Sequence, residues 1–116
     1  MSEAAAESLD GTLAALADPL RRRVVELLAR RPMRPGELAA ETGASPSAMS
    51  KHLRVLRRNG LVEESHPEFD ARVRIYTLRA ARMTELRSWL DAAERGWTEQ
   101  LRAFAAYVEG AESSDG

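Results

Sequence analysis

A chain of 116 residues, 44% hydrophobic and 30% charged, supports one hydrophobic core and is too short for two. It has no cysteine, which excludes disulfides, thiolate nucleophiles, iron–sulfur clusters and Cys-based zinc sites, and no apolar run approaches the roughly 20 residues of a membrane-spanning helix. The net charge of -1 hides blocks: residues 20–60 carry ten bases against three acids and 72–82 carry four bases and no acid, while 1–19, 61–71 and 83–116 are each net acidic by four. Two cationic stretches between acidic flanks fit a face for a polyanion; a dispersed, solvated surface gives the same counts.

In chain order, MSEAAAESLDG lacks the basic-then-apolar layout of a secretory signal, so a soluble cytoplasmic protein with no membrane partner is expected. Residues 1–8 read as a flexible acidic tail, followed by a short helix through Leu9, Leu13, Ala14, Leu16 and Ala17. Asp18-Pro19 is a cap-plus-proline start for a helix with Leu20, Val24, Leu27 and Leu28 on one stripe, ending before Pro32. Pro35 opens another short helix that closes at Thr42-Gly43, although Arg34 at its cap position has no side-chain acceptor. Ser45-Pro46 repeats the start signal, and Met49, Leu53 and Leu56 form a stripe over residues 46–59. The period then switches to alternation, predicting a β-hairpin over 61–78 with a polar tip, in which Arg72, Arg74, Tyr76 and Leu78 share a face. A long helix over 81–108 carries apolar residues at spacings of three and four, and 110–116 reads as a disordered tail.

Helix, helix, three-residue turn, helix and hairpin is the order of a winged helix-turn-helix, mainly α with a small hairpin. A generic helical bundle does not call for the hairpin. The segments LADPLRRRVVELL, GELAAETGASPSAMSKHLRVLRRNGLVE and RVRIYTL resemble the ArsR/SmtB family of bacterial transcriptional repressors over residues 9–108. ELRSWLDAAERGWTEQLRAFAAYVE is similar to the branch encoded beside START-like (SRPBCC) proteins. The resemblance implies a winged-helix domain, here residues 9–109, that binds operator DNA, with Pro46, Ser47, Ser50 and Lys51 at base-reading positions and Arg72 and Arg74 as wing contacts.

The residues themselves agree. With Met49, Leu53 and Leu56 turned inward, Ser47, Ser50, Lys51 and Arg54 lie on the open side of the helix, where hydroxyls bond bases or phosphates and Arg can read guanine. The ordinary alternative for this side is a solvated surface. Arg57 and Arg58 suit phosphate or acidic partners equally, and Arg21, Arg22 and Arg23 point in different directions and read as solvated or ion-paired. His52 reads as a structural histidine at the helix margin, with a DNA contact second, and His66 as a solvated loop residue.

Dimerisation follows from the small reach of one recognition helix, which a symmetric pair doubles. The expected interface comprises Leu9, Leu13 and Leu16 with Leu86, Trp89, Leu90, Trp97, Leu101 and Phe104 of the terminal helix. No cofactor or metal is expected: relatives that sense metal use Cys pairs before the turn or a His/Asp/Glu set on terminal helices, whereas this turn reads GELAAETG and the last helix has no His. Asp91 and Glu94 alone would hold only hard cations, weakly. The expected function is therefore a homodimeric repressor on a palindromic double-stranded operator, any small-molecule effector being unspecified. The alternatives are a metal-responsive sensor with non-Cys ligands and a winged-helix protein-interaction module. An enzyme is not expected, since no phosphate loop or nucleophile–base set is present.

Overall fold

The capped prolines start helices where the sequence places them. In the computed structural model, which describes residues 3–67 and 70–115, the elements are α1 (Glu3–Leu16), α2 (Pro19–Leu28), α3 (Pro35–Thr42), α4 (Pro46–Arg58), β1 (Val62–Ser65), β2 (Ile75–Leu78) and α5 (Ala80–Asp115). The fold is mainly helical with one two-stranded antiparallel hairpin. It divides into two compact units, Met1–Thr84 and Glu85–Gly116.

In the first unit, Asp18 Oδ1 accepts the Leu20 and Arg21 backbone N–H groups at 2.8 and 3.2 Å, with Pro19 preset at the first position of α2. Ser45 Oγ accepts from the Ala48 N–H at 3.1 Å, and Pro46 does the same for α4. At the start of α3 the missing acceptor of Arg34 is offset from the other side: Glu37 Oε1 accepts the Arg34 N–H at 3.1 Å. Gly43 and Gly60 end α3 and α4 with φ of 75° and 74°, the left-handed region that other residues avoid.

These helices turn one face each into a common core. Val24, Val25, Leu27 and Leu28 of α2, Leu38 and Ala39 of α3, and Met49, Leu53 and Leu56 of α4 are buried, with Ala15, Met33, Leu61, Val62 and Tyr76 completing the cluster. Leu20 is only half-buried at its edge. Fully burying a leucine contributes about 1.5–3 kcal/mol, so α4 is held mainly by its inner stripe and leaves the outer side free.

The strands pair with Glu64 opposite Tyr76 and Val62 opposite Leu78. Met33 extends this pairing, exchanging both backbone bonds with Tyr76 at 2.8 and 3.1 Å, which ties the entry of α3 to the hairpin. The Arg79 N–H closes the hairpin base on Leu61 O at 2.9 Å.

Several expectations change. Helix α1 already spans residues 3–8, where a flexible tail is expected; Ala and Glu are strong helix formers, so the segment joins the helix, while residues 1–2 lie outside the described residues. Helix α5 starts at Ala80 and continues through Gly110 to Asp115, over residues expected as a disordered tail; a glycine inside a helix costs only about 1 kcal/mol relative to alanine. Residue 116 lies outside the described residues. Helix α4 ends at Arg58, with Asn59 as its C-cap. Strand β2 begins at Ile75, so Arg72 and Arg74 belong to the loop before it and not to the strand. Part of the expected polar tip, residues 68–69, lies outside the described residues.

Candidate nucleic-acid interface

Helix geometry sets the first part of the site. At 100° per residue, Ser47, Ser50, Lys51 and Arg54 fall within an arc of about 100°, opposite the arc of Met49, Leu53 and Leu56. All four outer side chains, and Pro46, are exposed. Among the described residues no hydrogen bond or ion pair engages the side chains of Ser47, Ser50, Lys51 or Arg54, so their donors face solvent unspent.

The hairpin supplies the second part. A cleft of about 160 Å³ lies between α4 and the strands, lined by Ser50, Arg54, Arg57, Glu64, Arg74 and Tyr76. Arg74 is exposed and shares this cleft with Ser50 and Arg54, whereas Pro46, Ser47 and Lys51 do not line it. Arg72 stands apart from the cleft; its backbone N–H and Nε both donate to Asp70 Oδ1, at 3.0 and 3.4 Å, and its side chain is 93% exposed.

At the base of the cleft is a group the sequence reading did not single out. Glu64 Oε2 accepts from Arg57 Nη1 at 2.7 Å and from the Tyr76 hydroxyl at 3.1 Å, and its Oε1 lies 3.6 Å from His66 Nε2. Burial, then the Glu64 charge and hydrogen bond, push the Tyr76 phenol above its ordinary 10.0, which keeps its proton available for the carboxylate. Pairing in the hairpin places Glu64 against Tyr76, a register that is visible only once both strands are placed.

The basic run on α2 is used inside the first unit. Arg21 Nε donates to Ala15 O at 2.7 Å and its guanidinium lies 3.3 Å from His52 Nδ1; Arg22 Nη1 donates to Leu16 O at 2.6 Å. Two arginines thus satisfy carbonyls at the end of α1, and His52 is half-buried at the margin of α4, as a structural histidine would be. The sequence pattern reads these arginines as solvated or ion-paired; their carbonyl partners lie in the last turn of α1.

The residues expected at a dimer interface fall into two groups. In the first unit Leu9 is buried to 8% within its own chain, since the inner stripe of α1 runs through Leu9, Thr12 and Ala15; Leu16 is half-buried and Leu13 exposed. In the second unit Leu86 is half-buried, while Trp89, Leu90, Trp97, Leu101 and Phe104 are exposed, as is Tyr107, which the sequence reading omitted. Among the described residues no group of three His, Asp or Glu side chains is placed to hold a metal, and no helix is long and apolar enough to cross a membrane.

Comparison with known proteins matches residues 18–64 to the bacterial regulatory protein family described as arsR. The chain is similar to the HTH-type transcriptional regulator Rv2034 of Mycobacterium tuberculosis, 39% identical over 102 residues that cover 88% of this chain and 90% of that protein. Its fold is similar to a crystallised ArsR family transcriptional regulator at 30% identity and a TM-score of 0.70, covering 79% of this chain and 92% of that one. It is also similar to an ArsR-like transcriptional regulator from Rhodococcus sp. RHA1 at 28% identity and a TM-score of 0.72, covering 84% and 90%.

Proposed function

The chain belongs to the ArsR family of bacterial regulatory proteins, DNA-binding helix-turn-helix transcriptional regulators that are not enzymes, and from that premise we propose that it is a cytoplasmic homodimeric repressor of a palindromic operator. The observation that carries this reading is the outer face of α4. Ser47, Ser50, Lys51 and Arg54 are exposed on the side of the helix turned away from the stripe that anchors it in the core, and Pro46 is exposed at its first turn.

In this reading the domain is residues 9–109. The first turns of α4 enter the major groove, where Ser47, Ser50 and Lys51 meet base edges or phosphates and Arg54 donates two parallel bonds to a guanine or a phosphate. Arg72 and Arg74, in the loop of the wing, reach the neighbouring minor groove or backbone. A second copy presents the same elements to a half-site about 34 Å away, one turn along the duplex, and occupancy blocks transcription sterically.

The test begins with duplexes selected from a random pool by the wild-type protein, followed by fluorescence anisotropy at two salt concentrations. Selected DNA is expected to bind with a steep salt slope. Replacing Ser47 and Lys51 together by Ala is expected to weaken selected DNA by about 10-fold or more with melting unchanged, since each good base contact carries about 1–3 kcal/mol of discrimination. Unchanged affinity would remove these residues from the reading face.

A further inference from the structure

We infer that Glu64 is a specificity-determining residue: it holds Arg57 against the wing, so that this guanidinium contributes to binding only on a duplex seated in register. The inference rests on the reading of α4 and the wing as the DNA surface. Arg57 Nη1 meets Glu64 Oε2 at 2.7 Å, and the same oxygen takes the Tyr76 hydroxyl at 3.1 Å. The Glu64 side chain is only 12% exposed, against 60% for Arg57. The carboxylate is therefore the fixed partner and the guanidinium the part that can leave.

Charge decides what the pair does. Among the described residues, Glu64 is the single acid lining a cleft whose other walls include Arg54, Arg57 and Arg74. Binding to arbitrary duplex comes from guanidinium and ammonium groups that replace counterions, each contributing about 0.9 to the slope of log affinity against log salt. An arginine whose charge is already paired with a carboxylate at 2.7 Å adds less to that process than a free one. A phosphate displaces the carboxylate only when the helix and wing both sit where a phosphate oxygen replaces Oε2 at comparable distance. The acid thus lowers the affinity for arbitrary sequence more than for a cognate site. Tyr76 serves the same end, because its buried ring and its backbone exchange with Met33 keep the hydroxyl beneath Glu64.

The test uses full-length protein and two duplexes, one selected by the wild type and one of random sequence, with affinities measured across a salt series. On random duplex, Glu64→Gln is expected to steepen the slope by about one, as one more cation reaches phosphate. The ratio of selected to random affinity is expected to fall. Arg57→Ala in the wild-type background is expected to leave the random-duplex slope nearly unchanged, and in the Glu64→Gln background to return it to the wild-type value. Tyr76→Phe, which keeps the ring and removes one bond to the carboxylate, is expected to lie between. A purely structural role for Glu64 moves melting temperature without this dependence on Arg57. A Glu64→Gln slope equal to wild type overturns the inference; so does a full-unit loss of slope for Arg57→Ala alone, which also decides the matter if Glu64→Gln fails to fold. A wild-type protein that selects no sequence would instead sink the operator reading, and the random-duplex slopes would still decide the role of Glu64.

Discussion

At Asp18 a single carboxylate starts the helix on which the basic run sits. Burial pulls its proton affinity up, but the N–H groups of Arg21 and Leu20, together with nearby His52 and Arg21, hold it below the ordinary 3.8. A depressed carboxylate in the folded state contributes stability above its unfolded pKa and loses it as pH falls through the folded value. The expected outcome is a melting temperature that drops below about pH 4, with the share due to Asp18 absent in Asp18→Asn. That variant keeps the acceptor oxygen but cannot titrate. Asp18→Ala removes the acceptor too and is expected to cost about 1 kcal/mol at neutral pH in urea melts. A pH profile of Asp18→Asn that superimposes on the wild type would show that the cap charge carries none of the acid sensitivity. Glu37 moves in the same direction, held low by the Arg34 N–H and then Arg31, so the start of α3 weakens in the same acid window.

Helices α2 and α4 were legible because their signals are local: a cap, a proline one residue on, and leucines at spacings of three and four. The turn of residues 43–45 was equally legible, closed by a glycine that takes positive φ. The exposed side of α4 then follows from arithmetic on the buried side. What was not legible depends on partners distant in sequence. Met33 pairs with Tyr76, and Glu64 joins a helix residue seven positions before it to a strand residue twelve positions after it. No local spacing encodes those meetings. The wing shows the boundary between the two cases: alternation put Arg74 and Tyr76 on one side, where the cleft has them, but extended the strand over a loop that Asp70 organises through Arg72. Because that loop is exposed and its arginines carry charge and not base-specific geometry, Arg72→Ala with Arg74→Ala is expected to weaken selected and random duplexes alike. The salt slope should fall by about one to two units. Loss confined to the selected duplex would assign the wing to base reading.

The chain as a whole is nearly neutral, so attraction to DNA depends on segregation: the block at 20–60 is net positive by seven, while 83–116 is net negative by four. That acidic segment lies on α5, whose apolar side chains at 90, 97, 101 and 104 recur at spacings of seven, four and three and range from 50% to 66% exposed. A heptad-like stripe of this size left in water is the pattern of a helix that packs against another copy. The acids around it disfavour DNA as its cover. If this stripe joins two copies, Trp97→Glu with Leu101→Glu places four like charges at the seam of each pair, and sedimentation at micromolar concentration is expected to change from dimer to monomer. The core of the first unit is made of other residues, so its cooperative melting is expected to persist in the variant. Affinity for a duplex with two half-sites should then fall by about 100-fold or more, because the second contact is no longer intramolecular, while affinity for an isolated half-site stays the same. That difference separates loss of pairing from damage to the reading face, which would weaken both duplexes together. A wild-type protein that sediments as a monomer, or a variant that keeps its two-site affinity, would leave the stripe without this role.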